Sequence, residues 1–359
     1  MIDYNQLLQI MPYSLDKEAK NILFMQRLLE LSMLHYDKCN AYRRLIDVLG
    51  VPLDSVKSYE ELPFLPVRLF KSIELKSISS EEVFKIMHSS GTTGQMVSKI
   101  YLDRNTASNQ QKTLVKIVAD FIGKARGPML IMDCPSVVKD RNLFSARGAG
   151  IIGFSIFATD RLYAFDDDMI LQTEAIIEFL GKHQNEKILI FGFTYMIWQY
   201  FYKALKEKAI TLDLSNAVMI HGGGWKKLAS EAVEPKAFKQ SLNEVCGITR
   251  VHDYYGMVEQ TGGIYMECEC GHLHSSIFSD VIVRRSSDFS VCAHGEKGII
   301  QTLSLIPESY PGHSILTEDE GVILGEDDCP CGRKGKYFRI HGRIKHAEIR
   351  GCSDTYERR

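Results

Sequence analysis

The segment His88-Ser-Ser-Gly-Thr-Thr-Gly94 carries two glycines and four hydroxyl groups within seven residues. It follows a short apolar run, Val83 to Met87, which predicts a β-strand. Glycine lets the backbone approach a bound group closely, and short hydroxyl and amide donors suit the oxygens of a phosphate. The segment is not a Walker loop, because its glycines are too close together and no Gly-Lys-Ser/Thr follows. A phosphate loop and an ordinary solvated turn therefore both remain open at this point.

The composition is that of an ordinary globular protein, with 359 residues, 45% hydrophobic and 25% charged. A net charge of -2 provides no broad positive surface, which excludes nucleic acid and anionic membranes as expected partners. The sequence has no apolar run of transmembrane length and no leader-like N-terminus, which predicts a cytoplasmic protein without membrane contact. Nine cysteines in this setting favour buried, reactive or metal-bound thiols over a disulfide framework.

Strands and helices alternate after the glycine-rich loop. Apolar periodicity predicts helices over 105–122, 168–181 and 196–208, and strands over 129–132, 151–157, 187–191 and 217–220. This alternation predicts an α/β fold with parallel stretches of sheet. Because ligands bind beyond the carboxyl ends of such strands, we expect the glycine-bearing ends at 89–94, 192 and 222–224 to share one edge.

Four segments are predicted along the chain. Residues 1–60 are helical, and an apolar stripe over 14–36 predicts a core-packing helix. Residues 61–246 form an α/β core, which begins with an extended segment that contains two prolines. Residues 247–342 are rich in glycine and short strand-like runs, which indicates a β-rich subdomain. Residues 343–359 form a hinge and C-terminal tail.

Three further segments carry charged side chains in glycine-rich surroundings. They are Tyr254-Tyr-Gly-Met-Val-Glu-Gln-Thr-Gly262 with Glu259, Leu316-Thr-Glu-Asp-Glu-Gly321 with Asp319, and Gly342-Arg-Ile-Lys-His-Ala-Glu-Ile-Arg-Gly351 with Arg343. Each one alone is also typical of a turn whose charge faces water. Their order and spacing behind a Ser/Gly/Thr loop are more specific than any one of them.

With these motifs in this order, residues 60–352 resemble the adenylate-forming superfamily of acyl-CoA ligases, peptide-synthetase adenylation domains and luciferases. Within it, the chain is most similar to the LuxE-type acyl-protein synthetases, which activate fatty acids. That likeness depends on Leu65-Pro-Val-Arg-Leu-Phe-Lys71, His221-Gly-Gly-Gly-Trp-Lys226, the short length and the ending Arg350-Gly-Cys352. The phenylacetate-CoA ligase branch is also similar.

The resemblance implies a fold and a reaction. The fold is the N-terminal domain of an adenylate-forming enzyme, with parallel-rich sheets flanked by helices and a β-rich subdomain. The mobile C-terminal lid of the superfamily is expected to be missing, because only residues 344–359 follow Arg343. The reaction is ATP-dependent conversion of a fatty or aryl carboxylic acid to an acyl-adenylate, followed by transfer to a cysteine thiol. In the alternative, a phenylacetate-CoA-ligase-like enzyme passes the acyl group to CoA or a carrier protein.

The resemblance also implies roles for particular residues. The loop holds the phosphates of ATP through Thr92 and its neighbours, and Glu259 positions Mg²⁺. Asp319 and Arg343 hold the ribose, and Tyr255 stacks on adenine. The full set expected to bind ATP is Ser89, Ser90, Gly91, Thr92, Thr93, Gly94, Gly222, Gly223, Gly224, Tyr255, Gly256, Asp319 and Arg343.

Cys352 is the expected acyl acceptor. In the acyl-protein synthetases a cysteine near the C-terminus takes the acyl group as a thioester and passes it to a reductase subunit, so a reductase or carrier-protein partner is implied. The neighbouring Arg350, Arg358 and Arg359 favour the thiolate, which is the nucleophile. The alternative is an incidental free thiol.

Four other cysteines predict a structural zinc site. Cys268-Glu-Cys270-Gly and Cys329-Pro-Cys331-Gly are two turns that can bring four thiolates together around tetrahedral Zn²⁺. One residue separates the cysteines of each pair, where two are usual. His272 or His274 is an alternative fourth ligand.

Overall fold

A computed structural model describes residues 3–89, 96–139, 146–225 and 231–344. These residues form two compact units. The first unit contains 3–89, 96–121 and 256–344, and the second contains the described residues between 122 and 255. Ser90 to Gly94 and Cys352, which the sequence assigns to the phosphate loop and the acyl acceptor, lie outside the described residues.

The described residues form fourteen strands. They are β1 (Leu65–Pro66), β2 (Lys85–His88), β3 (Lys99–Leu102), β4 (Gly127–Met132), β5 (Ala158–Tyr163), β6 (Leu189–Phe193), β7 (Val218–Gly222), β8 (Arg250–Tyr255), β9 (Tyr265–Glu267), β10 (Leu273–His274), β11 (Ser279–Arg284), β12 (Gly298–Ser304), β13 (Ser314–Glu326) and β14 (Lys336–Arg343).

The same part of the chain contains eleven α-helical segments. They are α1 (Tyr4–Leu7), α2 (Lys17–Lys38), α3 (Asn40–Leu49), α4 (Leu69–Ser72), α5 (Arg104–Ile122), α6 (Ser136–Lys139), α7 (Ala146–Phe154), α8 (Thr173–Lys182), α9 (Thr194–Met196), α10 (Lys203–Glu207) and α11 (Pro235–Cys246). A π-helical turn over Ile197–Tyr202 joins α9 to α10. No helix in the described part of the chain has both the length and the apolar character needed to cross a bilayer.

The first unit contains an antiparallel sheet with the strand order β11-β12-β13-β14-β10-β9. β1 pairs in parallel with β13, with Leu65 opposite Ile315. β2 and β3 form a hairpin of their own, in which His88 lies opposite Lys99. This unit therefore contains residues 256–342 of the predicted β-rich region and the two strands that flank the Ser/Gly/Thr loop, while residues 247–255 belong to the second unit.

The second unit contains a parallel sheet with the order β5-β4-β6-β7-β8. The carboxyl ends of its strands meet, with Gly192 opposite His221 and Gly222 opposite Tyr254. The prediction of an α/β fold with parallel strands is confirmed, as is the shared edge for these glycine-bearing ends. For the loop at 89–94 the shared edge stays a prediction: β2, the strand before it, pairs with β3 in a separate hairpin, and Ser90 to Gly94 lie outside the described residues.

The strand predicted over 151–157 is also wrong. These residues form the end of α7 and a 3₁₀ turn, Ser155–Phe157, and β5 begins only afterwards. Ile151 and Phe154 are buried while Ile152 is half exposed, as on one face of a helix. A short apolar run has too few residues to reveal its period, so length and tertiary packing decide between helix and strand.

Helix α2 anchors the N-terminal segment to the first unit through a buried cluster of charges. Lys20 Nζ and Lys336 Nζ lie 3.2 and 3.0 Å from the two carboxylate oxygens of Asp280, and Tyr59 donates a hydrogen bond of 2.8 Å to the same carboxylate. Burial alone would raise the pKa of Asp280, but the two ammonium groups outweigh it and hold that pKa below its usual range. Because unpaired buried charges are costly, this cluster requires α2 to dock in one position.

Candidate active site

The Ser/Gly/Thr loop is closed at its base by two serines of the β2–β3 hairpin. Ser89 N donates to Ser98 O over 3.2 Å, and Ser98 N donates to the Ser89 side-chain oxygen over 2.9 Å. These two bonds join the end of β2 to the residue before β3, next to the predicted phosphate loop, whose residues Ser90 to Gly94 lie outside the described part of the chain. The sequence pattern had identified only Ser89.

Glu259 lies directly against the base of this loop. The Ser98 hydroxyl donates to Glu259 Oε1 over 2.5 Å, and both side chains are fully buried. The backbone oxygen of Glu259 accepts a hydrogen bond of 2.9 Å from Tyr310. The next residue, Gln260, donates to two backbone oxygens, those of Thr302 and Gly312, at 3.0 and 2.8 Å. The carboxylate is therefore held in one position, as a ligand for a divalent cation must be.

Gly262 allows the segment that carries Glu259 to approach α5. Its φ of +93° lies in the region that favours glycine, and a Cβ at this position would stand 2.5 Å from the backbone oxygen of Gln110. Any other residue would have to push the backbone away from the helix. The glycine that ends the Tyr254-to-Gly262 motif is therefore required for the position of Glu259.

Asp319 and Arg343, predicted to hold the ribose, are brought together as cross-strand partners in β13 and β14. Arg343 Nε lies 3.8 Å from Asp319 Oδ1, and Arg343 Nη1 lies 3.8 Å from Glu318 Oε2. Arg68 forms an ion pair with the other oxygen of Glu318. Arg68 reaches this place because β1 pairs with β13 and Val67 N donates to Leu316 O at 2.9 Å. Glu318 is therefore held between two guanidinium groups.

In the second unit, the glycines of the His221-Gly-Gly-Gly segment lie at the carboxyl end of β7. A Cβ on Gly222 would stand 2.5 Å from the ring of Tyr254, so this glycine leaves room for an aromatic side chain. Gly223 has a φ of +79°, and Gly224 faces open space. Tyr255, the predicted adenine-stacking residue, is half-buried at the end of β8.

His221 is a buried, neutral histidine beside these glycines. Its Nδ1 lies 2.9 Å from Thr194 Oγ1, and that hydroxyl also lies 3.3 Å from the backbone oxygen of Gly222. Burial lowers the pKa of His221 to about 3, so the ring carries no charge at ordinary pH. The ring therefore stabilises the end of β7 through its hydrogen bond to Thr194 and not through a charge.

A buried ion pair at the carboxyl end of β4 was not found by sequence reasoning. Arg147 Nε lies 2.9 Å from Asp133 Oδ2, and Arg147 Nη2 contacts the other oxygen in a fork-like arrangement. Arg147 Nη1 also lies 3.5 Å from the hydroxyl of Tyr195. The two charges are fourteen residues apart in the chain and belong to no recognisable motif. Only the packing of α7 on the sheet brings them together.

The predicted zinc ligands are brought together in part. The ligand atoms of Cys268, His274, Cys329 and Cys331 all lie within 4.8 Å of one another. Cys270, predicted as a ligand, does not belong to this group, because its side chain is exposed on the turn after Cys268. The histidine alternative left open by the sequence is the arrangement that the structure contains.

The predicted ATP-binding residues are divided between the two units. Ser89, Gly256, Glu259, Asp319 and Arg343 belong to the first unit. Gly222, Gly223, Gly224 and Tyr255 belong to the second. Within the first unit the loop base meets Glu259, and Asp319 meets Arg343, while their roles toward ATP remain predictions.

The fold of the chain is that of the adenylate-forming ligases. It is similar to the open conformation of 2-hydroxyisobutyryl-CoA ligase in complex with 2-HIB-AMP and CoA, with a TM-score of 0.70 and 16% identity. The match covers 93% of this chain and 77% of that chain. The fold class predicted from the sequence is confirmed.

Sequence comparisons identify the family. The chain is 24% identical over 331 residues to the long-chain-fatty-acid–luciferin-component ligase of Aliivibrio fischeri, which covers 89% of this chain and 84% of that protein. It is 22% identical over 333 residues to the ligase of the same name from Vibrio harveyi, with 89% and 83% covered. The family model described as "Acyl-protein synthetase, LuxE" matches residues 2–359. The chain belongs to the LuxE acyl-protein synthetase family, as its motifs predicted.

Proposed function

We propose that this protein uses ATP to convert a long-chain fatty acid to an acyl-adenylate and then forms a thioester with a cysteine. Membership of the LuxE family and the names of its two curated relatives support this substrate class. The observation that carries the proposal is the hydrogen bond from Ser98 to Glu259, which joins the base of the Ser/Gly/Thr loop to a buried carboxylate. A phosphate-holding loop and a cation ligand are needed side by side for this chemistry.

In the first step a carboxylate oxygen of the acid attacks the α-phosphorus of ATP. The bond between that phosphorus and the bridging oxygen breaks, and pyrophosphate leaves with the electron pair. Both reactants are anionic, so the site must neutralise charge and hold the phosphates still. In this proposal Thr92, Thr93 and the loop amides hold the β- and γ-phosphates. Glu259 holds Mg²⁺, which stabilises the charge that develops on the phosphate oxygens.

Asp319 and Arg343 would hold the ribose of ATP. A carboxylate accepts hydrogen bonds from the two ribose hydroxyls, and a guanidinium donates to them or to the neighbouring phosphate. Tyr255 would cover the adenine. The open space at Gly224 and the close approach permitted at Gly222 and Gly223 suit a nucleotide or acyl chain beside the strand end.

In the second step the thiolate of Cys352 attacks the acyl carbonyl carbon, and AMP leaves. A thioester replaces the mixed anhydride, so no oxidant or reductant is needed. The acyl group could then pass to a reductase or carrier-protein partner. In the alternative, CoA or a carrier-protein thiol attacks directly, as in the phenylacetate-CoA ligase branch. The zinc ion predicted from the cysteine spacing takes no part in either step.

The test separates the two steps of the reaction. ATP–pyrophosphate exchange is measured with a panel of fatty and aryl acids, and covalent labelling is measured with radiolabelled fatty acid and Mg·ATP. We expect exchange with long-chain acids and a protein label that hydroxylamine removes. Cys352→Ser should abolish the label and keep the exchange.

Cys270→Ser is the matched control, because this exposed thiol is the one most open to non-specific acylation among the described cysteines. Its label should equal that of the wild type. A label that persists in Cys352→Ser, or that requires CoA, would show that Cys352 is not the acyl acceptor and would favour the alternative, in which CoA or a carrier-protein thiol accepts the acyl group. No exchange with any carboxylic acid would refute the adenylation step itself.

A further inference from the structure

Two turns of the first unit meet around a compact group of sulfur and nitrogen atoms. One turn connects β9 to β10 and carries Cys268, and the other connects β13 to β14 and carries Cys329 and Cys331. His274 joins them from β10. We propose that Cys268, His274, Cys329 and Cys331 bind one Zn²⁺ ion, which ties the two turns together and is independent of the adenylation chemistry.

The distances within the group fit a tetrahedral ion. Cys268 Sγ lies 3.9 Å from Cys329 Sγ, and Cys331 Sγ lies 3.4 Å from His274 Nε2. Ideal Zn–S and Zn–N bonds of about 2.3 and 2.05 Å imply a sulfur–sulfur edge of about 3.8 Å and a sulfur–nitrogen edge of about 3.5 Å. Both observed edges agree with these values to about 0.1 Å. Two of the six donor–donor distances therefore match a tetrahedral zinc ion, and all four donors lie within 4.8 Å of one another.

The backbone of both turns is shaped to present the thiols. Gly271 and Gly332 have φ values of +77° and +81°, which favour glycine, and their amides donate to the backbone oxygens of Cys268 and Cys329 at 2.9 Å in each case.

The donor set is shielded from solvent. Cys268, His274 and Cys329 are buried and Cys331 is half-buried, so bulk water does not compete freely with these donors for a metal ion.

Two neighbouring side chains stand outside the ligand set. His272 Nδ1 lies 3.4 Å from Cys329 Sγ, but its ring is only half-buried and does not belong to the group of ligand atoms that all lie within 4.8 Å of one another, so we assign it as a donor to the ligand sulfur. Cys270 is exposed. The set is therefore three thiolates and one imidazole, in place of the four thiolates that the spacing alone favoured.

The experiment measures metal content and ligand type in the full-length protein made without a histidine tag. Zinc per chain is determined by mass spectrometry, and the ion is then exchanged for Co²⁺. We expect about one zinc per chain and a tetrahedral cobalt spectrum whose thiolate charge-transfer intensity corresponds to three sulfurs. Chelation should also lower the Tm by about 5 °C or more, because the ion binds the folded state and joins separate turns.

Cys331→Ser and Cys270→Ser form a matched pair, since both change a thiol at the second cysteine of a turn. Cys331→Ser should weaken zinc affinity by about 100-fold or more against a chromophoric chelator, and Cys270→Ser should leave it unchanged. Wild-type protein that contains no zinc and takes up no Co²⁺ would overturn the proposal. So would a four-thiolate cobalt spectrum, or equal loss of zinc from both variants. The wild-type measurements decide the question even if a variant folds poorly.

Discussion

Removal of the Ser98 hydroxyl tests whether the contact between the loop base and Glu259 supports catalysis. Ser98→Ala deletes the donor that lies 2.5 Å from Glu259 Oε1, and Glu259 is only 1% exposed, so bulk water cannot readily replace it. A hydrogen bond to a charged group contributes about 1.5–3 kcal/mol. If that energy is lost from the transition state for adenylation, kcat/KM falls by about 10- to 100-fold.

The assay is ATP–pyrophosphate exchange with a long-chain fatty acid at increasing Mg²⁺ concentrations. We expect a lower maximal rate and a higher Mg²⁺ requirement in Ser98→Ala, because the carboxylate that would hold the ion loses its orientation. Ser98→Thr keeps a hydroxyl and should restore much of the rate. Urea unfolding of each variant separates this effect from a general loss of stability.

Ser32→Ala is the matched control. Ser32 is equally buried, and its hydroxyl donates to the neutral backbone oxygen of Leu28 at 2.8 Å and lies 3.0 Å from His313 Nε2, without a hydrogen bond to Glu259. This variant should lose some stability and keep the exchange rate per folded molecule. Unchanged exchange in folded Ser98→Ala, or an equal loss in Ser32→Ala, would refute the role assigned to the contact.

Two further substitutions test other parts of the first unit. Arg68→Met removes one of the two guanidinium groups that contact Glu318, which should draw Arg343 toward Glu318 and away from the ribose. Because Arg68 is half exposed, we expect a loss of about 1 kcal/mol, seen as a roughly fivefold rise in the KM for ATP with little change in kcat. An unchanged KM would contradict this. Asp280→Asn leaves two buried ammonium groups without a carboxylate and should lower the free energy of unfolding by about 3–5 kcal/mol in urea, against almost no change for the exposed Asp288→Asn. Because the folded pKa of Asp280 is depressed, the wild-type protein should lose this stability as pH falls below about 4, and the variant should lack that acid-dependent step.

The parts of the fold that could be predicted are those with local signals. The long amphipathic helix α2 and the parallel strands β4, β6 and β7 were foreseen, because their apolar patterns run over enough residues to show a period or a clear boundary. The segment 151–157 was misassigned, since seven mostly apolar residues fit a strand and a buried helix end equally well. Its packing on the sheet, and not its propensity, decides the outcome.

The residues of the candidate site also divide into those that the sequence reveals and those that it does not. Its glycines, its acidic residues and its cysteines are visible in the sequence because each has an unusual local composition, and their order was enough to predict the family. The residues that form hydrogen bonds or ion pairs with them were not visible, because those residues belong to no motif. Ser98 bonds to a residue 161 positions away, and Arg68 bonds to one 250 positions away. No local sequence pattern indicates a contact between residues so far apart in the chain.

The Ser/Gly/Thr loop and the two cysteine turns show which properties the sequence determines and which only the tertiary structure decides. Residue chemistry alone established that a loop of this composition suits phosphate and that closely spaced thiols suit a metal. Tertiary structure decided that the loop rises from a hairpin beside Glu259, and that His274 rather than Cys270 completes the sulfur cluster. The reason is geometric, because a side chain's chemical nature belongs to its own residue, whereas its partners depend on strand register and on which face of a turn points inward.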